Sequence, residues 1–81
     1  MNPWSRAHSR QRMVEMAKLT TEAGAVYSCI IRDVSQGGAM LRVPAGAEIC
    51  GRVLVSAKII GHQVPAQVKW RDDTSIGIAF D

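Results

Sequence analysis

Apolar and polar residues alternate through most of this chain, and from residue 13 onward the period is two, the mark of half-buried strands. The least regular stretch is the first, 13–19, which sets Met13, Ala17 and Leu19 against Val14, Met16 and Lys18. A turn at 22–24 follows, with Gly24 able to take the positive φ that tight turns often need. The second strand, 26–33, places Tyr27, Cys29 and Ile31 on one face, and the third, 39–43, sets Ala39, Leu41 and Val43 against Met40 and Arg42 before Pro44-Ala45-Gly46 stops it. The fourth, 53–59, is the most regular: Val53, Val55, Ala57 and Ile59 share a face. Gly61 turns the chain into a fifth strand with Val64, Ala66, Val68 and Trp70 inward, where Pro65 points outward and implies an edge or a bulge. After a turn at 72–75, Ile76, Ile78 and Phe80 alternate with Gly77 and Ala79 in a sixth. Six short strands joined by tight turns, with no helical period, predict an all-β fold: a small six-stranded antiparallel β-barrel or a highly curved sheet.

Composition narrows this. With 81 residues there is room for one domain and one site. Trp4, Tyr27, Trp70 and Phe80 are the only aromatic residues, so branched aliphatic side chains must fill the core, which suits strands. No apolar run approaches the roughly 18 residues of a membrane span, and the start Met1-Asn2-Pro3-Trp4-Ser5-Arg6 lacks a secretory apolar stretch; no membrane insertion and a cytoplasmic location are expected. Cys29 and Cys50 have no Cys-x-x-Cys spacing, and His8 and His62 are too scattered to complete a metal shell, so neither a metal nor a cofactor is expected. No Ser-His-Asp, Cys-His or paired-carboxylate arrangement emerges, which leaves catalysis without machinery.

The net charge of +3 is unevenly placed. Arg6, Arg10 and Arg12 stand in the first twelve residues with no acid among them, and the other seven basic residues balance the seven acidic ones. The chain therefore reads as a basic N-terminal arm, 1–12, expected to be flexible, followed by a formally neutral barrel, 13–81. Such an arm suggests an anionic partner, although short basic leaders are also often merely solvated.

Two local patterns stand apart from the barrel. Arg6-Ala7-His8-Ser9-Arg10 gives an Arg-x-x-x-Arg spacing; guanidinium forks match phosphate oxygens and also the O6 and N7 acceptors of guanine. Two arginines four apart are common by chance, and the plain alternative is a solvated tail. Asp33-Val34-Ser35-Gln36-Gly37-Gly38 ends the second strand. An ordinary turn uses the same residues, because Asp and Ser bond nearby backbone and Gly relaxes φ. The functional alternative is specific: a carboxylate accepts from guanine N1 and N2, a hydroxyl bonds the ligand, and a bare glycine lets backbone approach.

Taken in this order, Arg-x-x-x-Arg followed by Asp-x-Ser-x-x-Gly resembles the two-part motif of PilZ domains. The resemblance continues in Cys29-Ile30-Ile31-Arg32-Asp33-Val34-Ser35 leading into Gly38-Ala39-Met40-Leu41-Arg42-Val43, and in Val68-Lys69-Trp70-Arg71 before Ile76-Gly77-Ile78-Ala79-Phe80, so that it covers nearly the whole chain. It implies a non-enzymatic receptor or adaptor domain that binds the bacterial second messenger cyclic di-GMP. Arg6 and Arg10 would contact phosphates and guanine edges, Asp33, Ser35 and Gly38 would complete the pocket, and ordering of the arm would signal to an unidentified protein partner. Arg12 has no counterpart in the motif and reads as an auxiliary charge or a surface residue. Arg32 is expected to face away from Asp33, and Trp70 reads as a core or rim residue. Members that take an intercalated pair of ligands commonly carry an extra arginine directly before the first motif; Ser5 stands there, which implies one ligand per chain. The C-terminal helix of many members has no counterpart after Phe80-Asp81, and no output depending on it is expected.

Two other readings compete. A small barrel with a basic arm can bind single-stranded nucleic acid, but such barrels stack bases on surface aromatics, and Tyr27, Trp70 and Phe80 all fall on apolar faces. A PilZ-like adaptor that binds protein alone is the other, and the intact motifs argue against it.

Overall fold

A computed structural model of the chain describes residues 11–81. They form six strands and no helix: β1 (Gln11–Thr21), β2 (Val26–Val34), β3 (Gly38–Arg42), β4 (Arg52–Ala57), β5 (Gly61–Arg71) and β6 (Ser75–Phe80). All neighbours are antiparallel, and the order β1-β2-β3-β6-β5-β4 closes on itself through β1 and β4, giving the expected barrel. Closure removes the sheet edges, whose unpaired backbone groups would otherwise invite another chain.

The period-two pattern fills the interior as expected. Leu19, Ile31, Leu41, Ile49, Ile76, Ile78, Val55 and Cys29 are the largest fully buried side chains, none of them aromatic. Each fully buried Leu or Ile contributes about 1.5–3 kcal/mol, so these few aliphatic residues supply most of the driving force. Ile49 comes from outside the strands: the 43–51 connection folds over one end of the barrel and buries Val43, Ala47 and Ile49. Arg71 holds that connection in place, donating to the Ala47 carbonyl at 2.7 Å and the Ile49 carbonyl at 3.1 Å. Gly24 turns the β1–β2 hairpin at φ 92°, where an L side chain would be strained.

Several elements differ from the pattern. The first strand begins at Gln11, so Arg12 lies within β1. The fourth ends at Ala57, and Ile59, expected inward, lies in the following turn at 48% exposure while Ile60 packs on the core. Pro65 sits one residue beyond the β5–β6 ladder, which starts at Ala66 opposite Phe80. Its missing N–H therefore costs no β6 pairing, and its carbonyl accepts from the Asp81 N–H at 3.3 Å.

The largest departures are bulges. On β2, Ile31 pairs with Leu41 and Asp33 with Met40, so Arg32 is an extra residue without an opposite number on β3. On β5, Val68 pairs with Ile78 and Trp70 with Gly77, leaving Lys69 extra in the same way. Such an insertion reverses the alternation beyond it. Ala39 and Leu41 are core residues, so Met40 between them faces out, and Asp33 opposite it faces out as well. Trp70, opposite Gly77 between core residues Ile76 and Ile78, is likewise turned outward. The expectation that Trp70 belongs to the inward face with Val64, Ala66 and Val68 is thus overturned by one inserted residue.

Candidate functional site

The second motif forms the β2–β3 hairpin. Asp33 lies next to the last residue of β2, Ser35 opens the turn and Gly38 starts β3. The Ser35 N–H donates to the Gly38 carbonyl at 2.8 Å and the Ser35 hydroxyl donates to the same oxygen at 3.3 Å, which locks the turn. The Phe80 N–H donates to the Gly37 carbonyl at 3.0 Å, fastening it to the end of β6. Asp, Ser and Gly thus do the turn-making work that their types suggest. The same turn also sets three groups beside one another: the Asp33 carboxylate, 5% exposed but on the outer wall, the Ser35 hydroxyl and the bare outward face of Gly38.

The wall around them is thin in side chains. Gly38 pairs with Ala79 and Met40 with Gly77, all four at outward positions, two of them without a side chain and a third with only a methyl group, and Gly38 and Gly77 are themselves buried. Missing a Cβ, these two positions allow close packing against the sheet. Beside this floor runs a groove of about 580 Å³, within the roughly 300–1,000 Å³ range of small-molecule sites, between Arg12, Met13, Val14, Arg32, Asp33, Met40, Arg42 and Ser75. Arg32 was expected to face away from Asp33; the bulge it occupies puts both residues on the border of this groove. Arg12 stands opposite Asp33 in the β1–β2 ladder, and Arg42 opposite Ser75 in the β3–β6 ladder. These arginines, all exposed, escaped the motif reading. The outward position of Arg42 on β3 was legible from the alternation, whereas Arg12 had been assigned to the arm and the register that brings the three together was not legible.

Arg6 and Arg10, the other half of the expected site, lie outside the described residues, as does most of the basic arm. Gln11, the first described residue, pairs with Val34, next to Ser35.

Outside this wall the chemistry is sparse. Burial pushes the Cys29 thiol up to about 11, so that it is an inert core residue, and Cys50 is exposed; both are free thiols. No group of His, Cys, Asp or Glu among the described residues is arranged to hold a metal ion, and no helix among them is long and apolar enough to cross a membrane. Tyr27 and Phe80 pack against the core, which leaves Trp70 as the one aromatic side chain of the strands turned to the outer wall. That is a poor stacking strip for single-stranded nucleic acid.

The family model of the PilZ domain matches residues 5–81, which include both motifs and every strand. The chain belongs to the PilZ domain family. No curated protein sequence matches it. PilZ domains are binding and adaptor domains and form a receptor family for cyclic di-GMP, so the hairpin motif and the arginine-lined wall of this PilZ domain are where a ligand site is to be sought.

Proposed function

We propose that this PilZ domain binds cyclic di-GMP on the outer wall of its barrel and signals by ordering its N-terminal arm, which a protein partner then reads. The observation that carries this is the placement of Asp33: the bulge at Arg32 turns its carboxylate to the outer wall, beside the bare positions Gly38 and Gly77 and a groove lined by arginines. A carboxylate there can accept from guanine N1 and N2, the glycines let the base lie against the sheet, and guanidinium groups complement the phosphates. On this reading Arg6 and Arg10 of the Arg-x-x-x-Arg motif, which ends one residue before β1, supply the remaining contacts to the phosphates and guanine edges. The role is binding and not catalysis.

Isothermal titration of the purified domain with cyclic di-GMP, beside a linear guanine nucleotide and a short oligonucleotide, tests the reading. Saturable binding of the cyclic dinucleotide is expected, with at least about a tenfold loss in Arg10→Ala, since a bond to a charged group is worth about 1.5–3 kcal/mol. Amide protection of residues 6–10 should rise on binding. Preference for the oligonucleotide would favour a nucleic-acid barrel, and no binding of any of the three would favour a protein-only adaptor.

A further inference from the structure

The groove has two ends. At the end near the motif turn stand Asp33 and Arg12. At the other stands Arg42, which pairs with Ile30 on β2 and Ser75 on β6 and lies two residues beyond Met40, roughly 7 Å further along β3. Arg32 projects between them from its bulge. Neither Arg32 nor Arg42 has a hydrogen-bond or ion-pair partner among the described residues, and both are exposed. Of the two acids before Ser75, Asp73 is exposed on the β5–β6 turn and does not line the groove, and the Asp72 carboxylate accepts from the Thr74 N–H at 3.0 Å and the Ser75 N–H at 2.8 Å, closing its own turn. Like charges on one concave wall repel each other, and with three arginines, Arg12, Arg32 and Arg42, against the single carboxylate of Asp33 the groove carries an excess of positive charge that attracts an anion. Both are arginines, whose planar forks can hold phosphate oxygens with two bonds each.

We propose that Arg32 and Arg42 form a second anion-binding end of the groove, which takes the part of the ligand far from Asp33 and so makes the site fit a ligand with two phosphates. This rests on the reading of the domain as a cyclic di-GMP receptor and adds contact residues to it. Asp33 fixes one guanine at the turn end, the dinucleotide ring follows the groove across β2 and β3, and the far phosphate meets Arg32 and Arg42, with the Ser75 hydroxyl as a neutral donor beside them.

The test measures cyclic di-GMP affinity for the unaltered chain and for Arg42→Ala, Arg42→Lys and Arg32→Ala. Lys69→Ala serves as a control that removes one exposed charge from β5, away from the groove. Melting temperature confirms that each barrel is intact. About a tenfold or greater loss is expected for each alanine variant of the pair, incomplete rescue by lysine, and no more than about a twofold change for Lys69→Ala. If the alanine variants lose no more than the Lys69 control, the second end does not exist, while the receptor reading stands. If the unaltered chain binds no cyclic di-GMP, the receptor reading fails and this inference falls with it. Should Arg32→Ala destabilise the bulge, Arg42→Ala, on a regular stretch of β3, decides the matter alone.

Discussion

Asp33 and Trp70 stand in one outward row of the barrel wall although their strands never touch: Asp33 pairs with Met40, Met40 with Gly77 and Gly77 with Trp70. Three strand spacings of about 4.8 Å put them roughly 14 Å apart, with Met40 and Gly77 between them. A ligand lying along that row from Asp33 must change the surroundings of the indole. In a Trp4→Phe variant, where Trp70 is the remaining tryptophan, cyclic di-GMP should shift or quench the fluorescence with the same midpoint as calorimetric binding. An emission unaffected by saturating ligand would place the ligand elsewhere on the barrel.

Stoichiometry follows from Ser5. A hydroxyl offers no cationic plane to stack on a second, intercalated base. One cyclic di-GMP per chain is expected, and Ser5→Arg is the single change expected to favour two. Saturation of the unaltered protein at two ligands per chain would refute the argument.

The two cysteines should behave oppositely. The Cys29 thiol, raised to about 11 by burial, is about 0.1% thiolate at pH 8, and the interior also shields it from reagents. Cys50 is exposed. Alkylation at pH 8 should add one label per folded chain, at Cys50, and two in denaturant, as read by mass spectrometry. Rapid labelling of Cys29 without denaturant would show that the core opens far more readily than its packing implies.

Arg71 is a structural arginine, unlike those of the groove. Its guanidinium spans the Ala47 and Ile49 carbonyls, and Ile49 is wholly buried. Arg71→Ala should cost about 1–3 kcal/mol in denaturant unfolding, with amide exchange rising first in residues 43–51. Lysine, with one ammonium in place of the fork, should rescue only part of it. Ligand affinity should be largely retained, since neither carbonyl borders the groove.

The fold was legible because one simple rule, alternation, governs most of the chain. Leu19, Leu41, Val55, Ala66 and Ile78 all went inward as their spacing predicted. The rule failed at Arg32 and Lys69, where an inserted residue reverses the faces beyond it; nothing in the side-chain pattern marks a bulge, because the register depends on the partner strand. The turn motif was legible as chemistry, since Asp, Ser and Gly at a strand end are informative by type. The groove was not: Arg12, Arg32 and Arg42 are far apart in sequence and meet only through the ladders of β1, β2 and β3. Ile59 misled for a plainer reason, since an alternating pattern does not show where a strand gives way to a turn.

The position of β6 between β3 and β5 bears on how the molecule is born. The sixth strand is not an outer layer; it closes the one continuous sheet β3-β2-β1-β4-β5 by pairing with both of its ends. Until Ser75–Phe80 leaves the ribosome, β3 and β5 both carry a row of unpaired backbone groups, and the Gly37 carbonyl lacks the Phe80 N–H that steadies the motif turn. Closure of the barrel and fastening of the motif turn therefore come together with the sixth strand, and a chain interrupted before residue 75 is left with two adhesive seams.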